Sequence, residues 1–164
     1  MTCFQIRVET SPSVHRPGER GASLIDLLIA ACIMGIVLAI AIPQARAALD
    51  MQRLDAGASK VASKLMDARM NAIKRNRQAW LLVDTSAKTL QVQTTDNSGS
   101  TINVGAAEPL PSGISIGGTV TQVIFTSLGR VASTETITLT GSSTGKTKTV
   151  TVSLVGEINV GQMN

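Results

Sequence analysis

The sequence predicts an α+β fold: a long, kinked N-terminal helix, transmembrane in its first half, whose second half packs on a small antiparallel β-sheet domain. Three observations carry this expectation. From Ala22 to Ile42 runs an apolar stretch of 21 residues whose single charge is Asp26. Beyond Pro43 the apolar positions Ala47, Met51, Leu54, Ala58, Val61, Leu65, Ala68 and Ala72 recur in alternating steps of four and three, the spacing of one helix face. From Ala79 the apolar period falls to two, and the composition turns to Thr, Ser, Gly and Val, with Trp80 and Phe125 the only aromatic residues of that part.

The elements follow in chain order. Residues 1–21 hold Arg7, Arg16 and Arg20 against Glu9 and Glu19, with Pro12, Pro17 and Gly18 breaking any helix, and read as a polar leader. The 22–43 segment would extend roughly 31 Å as a helix, enough to cross a bilayer once. Its aspartate is the anomaly. A carboxylate at membrane depth costs about 3 kcal/mol on insertion scales, so a chain that keeps one there uses it. The 44–78 segment is amphipathic: Arg46, Asp50, Arg53, Asp55, Lys60, Lys64, Asp67 and Arg69 fall off the apolar stripe. That places them toward solvent and the stripe against the chain's own sheet. Pro43 between the two halves predicts the kink. Lys74, Arg75 and Arg77 cluster at the expected helix C-terminus, where cations complement the helix dipole.

Residues 79–164 read as seven or eight short strands. "AWLLVDT" and "TLQVQTT" flank "SAK" as a hairpin, "DNSGS" turns into "TINV", and "GAAEPLPSG" reads as a loop because Pro109 and Pro111 cannot serve a central strand. Then come "ISI", "TQVIFT", "TETITLT", "KTVTVSLV" and "EINV", separated by Gly- and Ser-rich turns. Paired antiparallel sheets wrapping the second helical half satisfy this pattern. Trp80 is expected to anchor the core where helix meets sheet.

Several function classes are excluded by what the chain lacks. The single histidine, His15, lies in the leader, so the rest has no histidine for a Ser-His or Cys-His pair or for a histidine-bearing metal site. Asp84, Asp96, Glu108, Glu135 and Glu157 are scattered over turns. No catalytic residue, metal or cofactor is expected, and the chain is not read as an enzyme. Its two cysteines, Cys3 and Cys32, leave the β domain without a disulfide, and Cys32 reads as a small apolar residue of the span. A net charge of +4 is too small to mark a nucleic-acid-binding protein by itself. "ARA" at Ala45 to Ala47 resembles a signal-peptidase site, the mark of a secreted β domain cleaved near Ala47, but 21 apolar residues exceed the usual signal-peptide core of about 7–15.

Gly21, then Ala22, Ser23, Leu24, Ile25 and Asp26, then an apolar helix reaching Pro43, resembles the N-terminus of type IV pilins and type II secretion pseudopilins. "VIFTSLGRV" and "KTVTVSLVGEINVG" are similar to the closing hairpins of the GspH/FimT family of minor pilins and H-type pseudopilins. Ala22 and Asp26 stand where the superfamily usually has Phe and Glu. The resemblance implies cleavage after Gly21 by a prepilin peptidase, methylation of the new N-terminus at Ala22, and an assembly role for Asp26 and Pro43. It implies an inner-membrane protein with its N-terminus in the cytoplasm and its β domain in the periplasm, joining other pilins or pseudopilins in a pilus or pseudopilus through helix packing. Physically, a free amine of pKa near 8 at Ala22 is cationic, and Asp26 lies one helical turn from it and within reach of a neighbour's amine. Members that serve natural transformation are thought to bind DNA through a C-terminal G-R-x-R pattern. Here the matching stretch is Gly156, Glu157, Ile158 and Asn159, which carries an acid and an amide instead. DNA is therefore not an expected partner, and Lys74, Arg75, Arg77 and Arg130 remain as the candidate phosphate contacts.

Overall fold

The computed structural model describes residues 23–118 and 120–164. Gly21 and Ala22 lie outside them. One helix, α1 (Leu24–Arg75), is followed by eight strands: β1 (Ala79–Asp84), β2 (Thr89–Thr95), β3 (Thr101–Pro109), β4 (Ile114–Gly117), β5 (Gln122–Phe125), β6 (Glu135–Gly141), β7 (Thr147–Val152) and β8 (Ile158–Val160). The chain divides into two compact units, Met1–Ala39 and Ile40–Asn164. The described part of the first is apolar helix, with side chains open to the surroundings from Leu24 (80% exposed) onward. Pro43 sits inside α1 without ending it. Having no N–H, it leaves the carbonyl of Ala39 without its helical donor.

The second unit is built on the stripe. Leu54, Ala58, Val61, Leu65, Ala68 and Ala72 are fully buried and form one core with the inner residues of both sheets, among them Leu81, Leu90, Val123, Phe125, Ile137, Leu139 and Val150. Small residues let the backbones approach: a Cβ on Gly57 would lie 2.8 Å from Ile114 Cδ1. The sheets are antiparallel, with strand orders β3-β2-β1-β5 and β4-β6-β7-β8. Strand β1 alternates as its period requires, with Ala79, Leu81 and Val83 inside.

α1 ends at Arg75, where Asn76 takes a left-handed φ of 51°. Its N–H bonds to the Ile73 carbonyl (3.1 Å) and the Arg77 N–H to the Ala72 carbonyl (3.1 Å), the paired closure of a Schellman cap. Asparagine tolerates that conformation better than most residues, which sets the stop here.

Four expectations need correction. "GAAEP" is strand, not loop: β3 runs through it to Pro109 because β3 is an edge strand, where a terminal proline costs no ladder bond. Its register shifts between Val92↔Val104 and Leu90↔Glu108, and Gly105 (φ 76°) lies within that shift. "SLV" leaves β7, which stops at Val152; Leu154 and Val155 are exposed in a turn closed by the Gly156 N–H on the Ser153 carbonyl. Trp80 does not anchor the core. It lies on the outer face of β1, half-buried, donating Nε1–H to Gln93 Oε1 (2.8 Å) across the pair Trp80↔Gln93. Asp50 does not face solvent. One turn before Leu54, it shares the buried stripe.

Gly156 has φ 79°, and a Cβ there would lie 2.0 Å from the Gly129 carbonyl oxygen. Gly99 has a similar φ of 82° and open space around it. Gly99→Ala is expected to cost ~1–2 kcal/mol for the left-handed backbone alone. Gly156→Ala should cost that plus ~1–3 kcal/mol for displacing the neighbouring turn. Thermal unfolding of the detergent-solubilised chain and its two variants checks the difference.

Candidate assembly surfaces

The apolar half of α1 opens with a polar lock. Ser23 precedes the first helical residue, and its N–H donates to Asp26 Oδ2 at 3.3 Å. That is one arm of a capping box, in which an acid at the third helical position reaches back to the residue before the helix. The S-x-x-D spacing was visible in the sequence, hidden behind the interest of the charge. Asp26 therefore satisfies a helix-end donor within its own chain. Around it Leu24, Ile25, Leu27 and Leu28 are all more than half exposed. Cys32, further along, is an exposed free thiol.

Past Pro43, the β6–β7 turn is fastened to α1 by Asp50. The carboxylate is 1% exposed, and its Oδ2 accepts from the Ser143 N–H (3.2 Å), the Thr144 N–H (2.9 Å) and the Thr144 hydroxyl (2.8 Å). Gly141 permits this approach, since a Cβ on it would lie 2.5 Å from the same oxygen. The Thr144 hydroxyl, aided by both N–H groups and Arg53, holds the Asp50 carboxyl below the usual range against the opposing effect of burial. Ile42, Pro43, Arg46 and Ala47 line an open groove of about 440 Å³ with Ser143 and Thr144. Polar ties continue up the helix. Lys64 meets Glu108 at 2.6 Å, Lys60 lies 3.5 Å from the same carboxylate and donates to the Pro109 carbonyl (2.7 Å), and Lys148 pairs with Asp55. The Lys64 hydrogen bond is the main reason the Glu108 carboxyl is also held low.

The four candidate phosphate contacts do not converge in one cleft. Arg75 and Arg77 line an open cleft of about 600 Å³ with Thr95, Asp96, Asn97 and Ser98. Arg77 is committed there, donating to the Asp96 carbonyl and, at 2.8 Å, to Asn97 Oδ1. The Asp96 carboxylate, held low chiefly by the Ser98 hydroxyl, adds negative charge to that cleft. Lys74 is exposed on α1, and Arg130 is exposed beside Gly129 in the β5–β6 turn. Among the described residues no group of His, Cys, Asp and Glu is placed to hold a metal ion.

Arg69, assigned to the solvent side by its position off the stripe, instead joins two turns. Its Nε donates to the Gly129 carbonyl (3.2 Å) and its Nη2 to the Val155 carbonyl (3.4 Å). These are the turns of "SLGRV" and "SLVGE". Residues 57–156, which include the Arg69 clasp and most of the helix stripe, match the family model described as type II transport protein GspH. The chain belongs to the GspH family. Members of this family are structural subunits rather than enzymes. The fold is shared with the type IV minor pilin FimU of Pseudomonas aeruginosa, at 18% identity and a TM-score of 0.57 over 68% of this chain and 90% of that one. It is shared likewise with the minor pseudopilin EpsH from the type 2 secretion system of Vibrio cholerae, at 14% identity and a TM-score of 0.55 over 66% of this chain and 95% of that one. No curated protein sequence matches the chain. In this GspH-family chain the β domain is carried by a helix whose apolar half remains uncovered.

Asp50, Asp96 and Glu108 are held below their ordinary values, so the stability they add is present above the unfolded carboxylate range. It is lost as pH falls through their lower folded values, that is, below pH about 4. Asp50→Asn removes the charged acceptor and is expected to lower the unfolding temperature at pH 7 while flattening its fall between pH 7 and pH 3. An unchanged acid slope in the variant would show that the β6–β7 turn does not depend on this carboxylate.

Proposed function

We propose that this chain is a minor pilin or pseudopilin that waits in the inner membrane and joins a type IV pilus or type II secretion pseudopilus as a structural subunit. One observation carries the reading: a single continuous helix is apolar and uncovered over its first half and is the core of a folded domain over its second. Such a helix needs lipid around the first half before assembly and other helices around it afterwards. Processing by a prepilin peptidase after Gly21 and methylation at Ala22 would leave a cationic amine one turn from Asp26. In a filament, Asp26 would exchange its local Ser23 contact for the amine of a neighbouring subunit, and the charge match would fix the stagger of the helices. Pro43 would mark the step from the membrane half to the domain half. The orientation follows from the same reading, with the N-terminus cytoplasmic and the β domain periplasmic.

A DNA-binding role is not favoured, because Arg77 is already engaged and Asp96 shares its cleft. A secreted β domain cut near Ala47 is not favoured either, since the cut would remove Ile42, Pro43 and Arg46 from the groove they line with Ser143 and Thr144.

Intact mass spectrometry of the membrane-extracted protein is expected to give a chain beginning at Ala22 with one added methyl group. A start near Ala48 would establish the secretory reading instead. Asp26→Ala should leave membrane insertion intact, since it removes the one charge of the apolar run, while its recovery in sheared filaments falls. Normal recovery of that variant would rule out the charge-pairing step.

A further inference from the structure

The groove beside Pro43 has two chemical characters. Ile42, Pro43 and Ala47 give it an apolar side, Arg46 a cation, and Ser143 and Thr144 of the β6–β7 turn a polar wall. Ile42 is also the last residue of the apolar run, so on the membrane reading the hydrocarbon ends within the groove's own lining. Arg46 follows four residues later, about 6 Å along the helix. The headgroup layer of a bilayer is roughly 5–7 Å deep on each face, which is the depth at which this guanidinium then stands.

The charge around the groove is positive. Residues 42–55 and 142–148 hold four cations, Arg46, Arg53, Lys146 and Lys148, against two acids, Asp50 and Asp55. Asp55 pairs with Lys148, whereas Arg46, Arg53 and Lys146 form no ion pair among the described residues. Arg53 stands at the foot of the same turn, since a Cβ on Gly113 would meet Arg53 Nη1 at 3.2 Å and Ser142 Oγ at 3.4 Å. Asp50 is 1% exposed and accepts from the N–H groups of Ser143 and Thr144 and from the Thr144 hydroxyl. With those donors spent, the donor this wall offers is the Ser143 hydroxyl.

We propose that the groove seats the headgroup of an anionic phospholipid, with Arg46 and the Ser143 hydroxyl on its phosphate and the start of an acyl chain along Ile42 and Ala47. The lining selects the ligand. A free phosphate satisfies Arg46 and leaves the apolar side empty, and a wholly apolar ligand leaves the arginine unpaired. A phospholipid is apolar and anionic over the same few ångströms and is at hand wherever the first half of α1 stands in a bilayer. A zwitterionic headgroup brings a further cation to a site that already has three without a partner, so the anionic lipid is favoured. The proposal rests on the membrane reading and adds to it a lipid fixed one turn past the span, which holds the chain at one depth before assembly.

The test is native mass spectrometry of the full-length chain released from detergent micelles after titration with phosphatidylglycerol, phosphatidylcholine or glycerol phosphate. One phosphatidylglycerol per chain is expected to stay bound, with the other two retained at least about fivefold less. Arg46→Gln should weaken phosphatidylglycerol about fivefold, Arg46→Lys should keep most of it, and Lys74→Gln, at an exposed cation outside the groove, should change nothing. Equal retention of the two lipids, equal retention of glycerol phosphate, or equal weakening by Arg46→Gln and Lys74→Gln overturns the proposal. So does a dimer that retains no lipid, because a second copy then fills the groove. Recovery of the chain in a carbonate-washed membrane pellet separates the two readings: a chain found there that retains no phosphatidylglycerol removes the lipid site alone, and a chain absent from the pellet removes the membrane reading with it.

Discussion

Both sheets are built on one stripe of a single helix. Leu54, Ala58, Val61, Leu65, Ala68 and Ala72 supply the layer against which the inner residues of β1, β2, β5, β6 and β7 are buried, and among the described residues no second helix helps them. A sheet this small, rich in Thr and Ser, buries too little apolar area to stand alone. The polar ties accordingly run from the helix outward. Asp50 fastens the β6–β7 turn, Lys60 and Lys64 the end of β3, Asp55 the start of β7, and Arg69 the two turns at the far end. Each is a long-range link from α1 to a segment that the apolar stripe does not reach.

The same helix creates the functional demand. An element committed to the core over its second half cannot be withdrawn or refolded to hide its first half, whose apolar side chains are uncovered. Among the described residues nothing covers it, and the proposed reading takes the cover from outside the chain. Lipid supplies it without specificity, whereas other helices supply it with a register, and a single buried charge is the economical way to choose among registers that hydrophobic contact makes nearly equal. On the proposed reading, Asp26 would wait for that role with Ser23 as its local partner.

The sequence made the helix legible because its period is long and sustained, and the alternating strands β1 and β6 because turns bound them sharply. It misled where one residue serves two surroundings. Asp50 looked like a solvent-facing charge because charge and position were read separately. The three donors that make its burial tolerable come from residues 93 and 94 positions away. Arg69 and Lys64 were displaced from the solvent side by equally distant carbonyls and carboxylates. "GAAEP" was mistaken for a loop because glycine and proline signal a break except on a sheet edge, and edge position is a property of the topology. "SLV" reads as strand because Leu154 and Val155 have strand character, yet they serve an exposed turn. The N-terminal residues were read from a local pattern, whereas Arg69 joins α1 to turns 60 and 86 residues away and has no local pattern to show it.

The central claim is that the apolar half of α1 is never in water, passing from lipid to a packed bundle of helices. Cys32 lies within that half and reports on it directly. Its modification by a membrane-impermeant maleimide can be followed by peptide mass spectrometry in intact cells, in sheared filaments, and after detergent dissociates both. The account requires Cys32 to be protected in cells and in filaments and to react only after dissociation; rapid modification in a detergent-free soluble fraction holding most of the chain would contradict it.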